Sequence, residues 1–156
     1  MRKNTGFTLL ELMVVISIIS IIAAIGTPNF LQWRSNAKLK GAIGNIRSDL
    51  ERSKLRAIRE NAFVATIFST NGYTIFVDNG TGTSGNWNQD EGEKLLRNIQ
   101  LPAGITLSTT RTNNRLRFNS RGRCVGITIT SANISGRQMD VIVSPVGRIR
   151  ISSIYE

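Results

Sequence analysis

Two groups of residues in this chain are of types that do chemistry, and in both the chemistry is charge recognition. Glu11 is the lone charge in an apolar run from Phe7 to Ile25. A carboxylate inside hydrocarbon is costly unless it is paired, so Glu11 calls for a cationic partner. Toward the other end, arginines recur two residues apart: Arg115 and Arg117, Arg121 and Arg123, Arg148 and Arg150. Residues two apart on a strand project from one face. Two guanidinium forks then stand about 7 Å apart, close to the phosphate spacing along one nucleic-acid strand. Such forks match oxyanions bidentately.

Catalysis has little to work with. The chain has no histidine, which removes the commonest general base and the commonest zinc ligand. Cys124 is the one cysteine, so no intrachain disulfide can form; it reads as a small, half-buried apolar residue. No nucleophile–base constellation and no metal-ligand cluster stands out. The chain therefore reads as a non-enzyme with no cofactor and no metal. Its formal charge is +10, from 20 Lys+Arg against 10 Asp+Glu, which favours anionic partners. All eight basic residues from position 98 onward are arginine.

The elements that must carry these residues define an α+β chain of 156 residues. Residues 1–6 are short, basic and polar. The apolar run Phe7–Ile25 is 19 residues, about 28 Å of helix, enough to span a bilayer core. Trp33 follows where an interfacial aromatic sits. A transmembrane segment is assigned to 7–28, with a kink or local melting expected at Gly26 and Pro28. An amphipathic helix follows over 29–62. Leu39, Ile43, Ile46 and Leu50 form one face, which drifts through Leu55, Ile58 and Ala62. Gly41 and Gly44 weaken this helix, with close packing as one reason for them. Arg52, Arg56 and Arg59 on the opposite side read as a solvated face.

From 63 to 156 the period becomes two. Expected strands are Phe63–Ser69, Tyr73–Val77, Ile105–Thr109, Leu116–Asn119, Val125–Thr130, Met139–Ser144 and Ile149–Ser152, with a hairpin at Asn71-Gly72. This is a small antiparallel β domain of about seven strands in two sheets, packed against the long helix. Asp78–Gly92 is a loop. In this reading Leu116 and Phe118 face the core while Arg115 and Arg117 face solvent. Likewise Ile149 and Ile151 point inward, and Arg148 and Arg150 outward.

The N-terminus resembles the class III leader of type IV pilins and pseudopilins, through Lys3 and Gly6, then Phe7-Thr8-Leu9-Leu10-Glu11, and Pro28. The resemblance implies cleavage by prepilin peptidase between Gly6 and Phe7 and N-methylation of Phe7. Glu11 would neutralise the Phe7 amine, on its own or a neighbouring chain, and set register during assembly. It also places the chain in the inner membrane, single-pass, with its C-terminal domain in the periplasm before assembly with other pilins. A loop in some major pseudopilins holds calcium. Asp78, Asp90, Glu91 and Glu93 fit no recognised calcium-loop spacing, and a solvated loop is the stronger reading.

A narrower resemblance, to the minor pilins of the GspH/FimT type, rests on Leu116-Arg-Phe-Asn-Ser-Arg-Gly122, Gly126-Ile-Thr-Ile129 and Val141-Ile-Val-Ser-Pro-Val-Gly-Arg-Ile-Arg150. In FimT-type members a Gly-Arg-x-Arg motif is associated with binding DNA for uptake in natural transformation. Here it falls on Gly147, Arg148 and Arg150, with double-stranded DNA as the implied partner. Arg121, Arg123 and Arg137 are further candidates, for which a solvated strand face is the stronger reading. The alternative is a GspH-like structural minor pseudopilin at the tip of a type II secretion pseudopilus.

Overall fold

The computed structural model describes residues 6–78, 87 and 89–153. Leader residues 1–5, and residues 79–86 and 88 of the expected acidic loop, lie outside the described residues. One helix, α1 (Leu9–Arg59), precedes eight strands among the described residues: β1 (Phe63–Ser69), β2 (Gly72–Asp78), β3 (Leu95–Gln100), β4 (Ile105–Thr109), β5 (Arg115–Phe118), β6 (Ile127–Asn133), β7 (Gln138–Val143) and β8 (Ile149–Ser153). The chain divides into two units, Met1–Arg34 and Ser35–Glu156.

In the first unit, Thr8 caps the start of α1. Its carbonyl accepts from Leu12 N–H and its hydroxyl from Glu11 N–H, both at 3.2 Å. The Thr8-x-x-Glu11 spacing is that of a capping box, with Glu11 at the third helical position. The helix is long and apolar enough to cross a membrane, and none of that stretch is buried within the protein. The Ser17, Ser20 and Thr27 hydroxyls donate to the carbonyls of Met13, Ile16 and Ala23, one turn back, at 2.6–2.7 Å. Those bonds remove most of the cost of carrying hydroxyls through an apolar run. The helix continues unbroken through Gly26 and Pro28, so the expected melting is not seen. Proline removes one donor there, and the remaining turns hold.

In the second unit, α1 buries Ser35, Leu39, Ala42, Ile43, Ile46, Asp49, Leu50, Ser53 and Ala57. That face keeps the helical period and does not drift to Leu55 and Ile58, which are 65% and 45% exposed. Small Ser53 and Ala57 hold the buried positions instead. Along this turn the helical period, not residue size, sets which side chains are buried. Among the described residues, nothing lies within 4 Å of where a Cβ on Gly41 or Gly44 would be, so no close packing there calls for glycine. The arginines outside that face are locally paired: Arg47 with Glu51, Arg56 with Glu60, and Arg52 with Asp49 of the buried face. The Arg56 guanidinium, 3.0 Å from the Glu60 carboxylate, holds that carboxyl below its ordinary value. Asn61, at φ 48, ends the helix in a left-handed cap, and Ala62 N–H reaches back to the Ala57 carbonyl at 3.1 Å.

The strands form two four-stranded antiparallel sheets, ordered β3-β2-β1-β5 and β4-β6-β7-β8. Val64, Phe68, Ile75, Leu116, Phe118, Ile129 and Val141 from both sheets close on the helix stripe as one core. Two particulars depart from the sequence reading. First, β3 was not expected. It is half exposed, and Leu95, Leu96 and Ile99 lack strict alternation. Second, Gly72 is the first residue of β2 and is not the left-handed residue of the hairpin turn. A Cβ there would lie 2.2 Å from the Ile99 carbonyl oxygen, so glycine lets β3 approach.

Candidate functional site

Three loops of the β domain share one plan. In Asn119–Arg123, Asn133–Arg137 and Ser144–Arg148, the glycine amide at the fourth position donates to the first carbonyl, at 2.8, 3.0 and 2.8 Å. The first amide donates across to the fifth carbonyl, at 2.9, 3.0 and 3.0 Å. The first side chain accepts from the fifth amide: Asn119 from Arg123 at 2.9 Å, Asn133 from Arg137 at 2.9 Å, Ser144 from Arg148 at 3.2 Å. The glycines Gly122, Gly136 and Gly147 have φ of 70, 80 and 78. The sequence pattern Asn/Ser-x-x-Gly-Arg therefore encodes a tight turn with a left-handed glycine. Its threefold recurrence was readable in the sequence and was missed there.

Two of these turns interlock. A Cβ on Gly147 would lie 2.0 Å from the Gly122 carbonyl oxygen. Cys124 N–H donates to the Pro145 carbonyl at 3.1 Å, and its thiol donates to the Ser144 carbonyl at 3.2 Å. Burial pushes that thiol above its ordinary pKa, which fits a packing role. From the helix, Lys54 Nζ donates to the Gly147 carbonyl at 2.9 Å.

Four arginines surround this junction. Arg121 and Arg123 flank Gly122, Arg148 follows Gly147, and Arg150 lies two residues on in edge strand β8, opposite Ile142. All four are exposed, and among the described residues their side chains make no ion pair. The amides of Arg121, Gly122, Arg123, Gly147 and Arg148 are all engaged within the turns. An anion at this junction would therefore be held by the guanidinium forks and not by a backbone nest.

The other arginines divide differently. Arg137 sits at the far end of β7 from Arg148, roughly 20 Å away along the strand, so the third turn stands apart. Arg117 does not simply face solvent. It pairs with buried Asp78 at 3.1 Å and lies over the rings of Phe63 and Trp87, at 4.4 and 4.5 Å from their centroids. Arg115 is half-buried. Ile149 is half-buried as expected for an inward residue, whereas Ile151 is 36% exposed, because β8 is the sheet edge.

At the N-terminus, Gly6, Phe7 and Glu11 are all exposed, Phe7 at 81%. Glu11 stands in the first turn of α1, where the positive end of the helix favours a carboxylate. Among the described residues no group of three ligating side chains is placed to hold a metal ion. Asp78 pairs with Arg117, and Glu93 accepts the Asp90 amide at 3.1 Å.

Comparison with known proteins places this geometry. Residues 42–147 match the family described as type II transport protein GspH, and residues 1–27 match the prokaryotic N-terminal methylation motif. The type IV major pilin protein PilA of Myxococcus xanthus is 46% identical over 46 residues, 30% of this chain and 21% of that protein. The chain spans between 21% and 62% of the length of the curated relatives it matches. Among solved structures, the minor pseudopilin EpsH of the Vibrio cholerae type 2 secretion system superposes with a TM-score of 0.59 at 15% identity, over 74% of this chain and 97% of that one. The type IV minor pilin FimU of Pseudomonas aeruginosa gives 0.60 at 14% identity, over 77% and 92%. At such identities the likeness is one of fold.

Proposed function

The chain belongs to the GspH family, and from that premise we propose that it is a minor pilin or pseudopilin whose exposed domain captures DNA. In this reading residues 1–6 are a leader that prepilin peptidase removes between Gly6 and Phe7, and Phe7 is then N-methylated. Residues 7–28 hold the chain in the inner membrane until assembly, Glu11 pairs with the Phe7 amine of its own or a neighbouring chain, and residues 29–156 face the periplasm.

The observation that carries the DNA reading is the junction of two Gly-Arg turns, ringed by four arginines without an ion pair among the described residues. Forks on long stems contact phosphates without reading bases, so binding is sequence-tolerant and suits uptake of any double-stranded DNA in transformation. The site is Arg121, Arg123, Arg148 and Arg150; Arg137 is left out because its turn lies elsewhere. Gly147 contributes by geometry alone.

Titration of the full chain in detergent with duplex DNA at several salt concentrations tests this. The logarithm of affinity should fall linearly with the logarithm of salt, by about 0.9 per phosphate contacted. The Arg148→Ala/Arg150→Ala double variant should lower that slope by about 1.8, and Arg137→Ala should leave it unchanged. Equal binding by the double variant and the wild type rules the site out.

The family's description as a type II transport protein favours a second reading, a structural minor pseudopilin at the tip of a secretion pseudopilus. That reading expects negligible DNA affinity and specific capture of other pseudopilins.

A further inference from the structure

We propose that Lys54 is the positioning residue of the arginine junction, a proposal that rests on the DNA-capture reading. Lys54 stands on α1, 93 residues from Gly147 in sequence, and its ammonium donates to the Gly147 carbonyl at 2.9 Å. Its Cε lies 3.0 Å from where a Gly122 Cβ would be and 3.3 Å from where a Gly147 Cβ would be. The lysine stem thus runs across both glycines, while its head holds one of them. Ile58, one helical turn on, completes the shelf, with its Cδ1 2.9 Å from the same Gly122 position. Of the three like turns, this is the one whose glycine carbonyl receives a side-chain donor from the helix.

The arrangement has a consequence for binding. With the turn amides engaged, recognition falls to four guanidinium groups on long stems, each of which loses rotamer freedom when it holds a phosphate. Fixed Cα positions are what such a site has to offer. Two turns in van der Waals contact, held to a helix by one charged hydrogen bond, supply them. Lys54 is half-buried and its head is turned to a carbonyl, so it acts on the ligand through the turns.

The test uses the full chain in detergent and duplex DNA, with Lys54→Met, which keeps the stem and removes the donor, and Lys54→Arg, which restores a donor. Lys54→Met should bind about tenfold more weakly at fixed salt while keeping the wild-type salt slope. Lys54→Arg should recover most of the loss. Hydrogen exchange at the Gly147 and Arg148 amides should quicken in Lys54→Met while the buried helix amides stay protected. A slope reduced by about 0.9 would make Lys54 a phosphate contact and overturn the positioning role. Unchanged affinity in Lys54→Met would overturn it as well. A wild type with no salt-dependent DNA affinity overturns the DNA reading itself, and the proposal with it.

Discussion

The Tyr73 hydroxyl donates a 2.8 Å hydrogen bond to the carboxylate of Asp49, which is 2% exposed on the inner face of the helix. Arg97 of β3 closes on the same carboxylate from the sheet edge. The helix is thus pinned to one sheet through Asp49 and to the other through Lys54 and Asn36, the latter accepting from Asn133 at 2.9 Å. A buried carboxylate tolerates its position only when its lone pairs are filled. Tyr73→Phe should therefore destabilise the domain by about 1–3 kcal/mol in denaturant melts.

The same contact sets an alkaline limit. Burial, and then the Asp49 hydrogen bond, raise the Tyr73 phenol above its ordinary value. Between the unfolded and folded values the native state holds the proton that the unfolded chain has lost, so stability falls as pH rises. The contribution is complete below about pH 10, the unfolded tyrosine value, and declines above it. Denaturation midpoints measured from pH 8 upward should drop in the wild type, and the drop should be shallower in Tyr73→Phe. Parallel curves would show that Tyr73 is not the group responsible.

Arg117 looks like a DNA-facing arginine in sequence, and its substitution would mislead. Its partner Asp78 is buried, so Arg117→Ala takes a charged partner from a buried carboxylate and the cation from over the Phe63 and Trp87 rings. The expected cost is about 1.5–3 kcal/mol, that of one hydrogen bond to a charged group, read as a lowered denaturation midpoint. Arg148→Ala, with no ion pair to break among the described residues, should leave the midpoint unchanged. A stable Arg117→Ala would mean that Asp78 is solvated or paired otherwise.

Gly136 and Gly147 share a turn plan and nearly the same φ, which separates two effects of a methyl group. Among the described residues a Cβ at Gly136 meets nothing within 4 Å, so Gly136→Ala should cost only the left-handed conformation, about 1–2 kcal/mol. At Gly147 the same methyl would press on the Gly122 carbonyl, and the loss in the same melts should be clearly larger. Equal losses would show that the two turns part readily.

Much of this was legible in the sequence because short-range periodicity carries it. The apolar run, the Leu39–Leu50 stripe and strands such as Phe63–Ser69 follow from spacing alone. What escaped depends on long-range approach. Strand β3 is an edge whose apolar residues do not alternate, and Gly72 is glycine for the sake of a carbonyl 27 residues away. For the arginines, spacing identified the pairs but could not say which would meet. Arg121 and Arg123 join Arg148 through Gly122 and Gly147, Arg137 is left behind, and Arg117 is taken by Asp78. Lys54 gave no signal at all, since a lysine on a helix is ordinary until a carbonyl comes to it.

At the N-terminus, Glu11 has a bland role available to it as well as the assembly role. It occupies the third position of a helix capped by Thr8, where the helix end alone stabilises a carboxylate by about 0.3–1 kcal/mol. Glutamine at that position keeps the capping geometry and removes the charge. If capping is all that Glu11 does, Glu11→Gln should behave as wild type and Glu11→Ala should only fray the first turn. If Glu11 neutralises the Phe7 amine in a low-dielectric filament core, both variants leave an uncompensated charge there, and both should fail alike. We expect the second outcome: normal amounts of Glu11→Gln and Glu11→Ala in the membrane fraction, and little of either in sheared filaments. Wild-type levels of Glu11→Gln in filaments would reduce Glu11 to a helix cap.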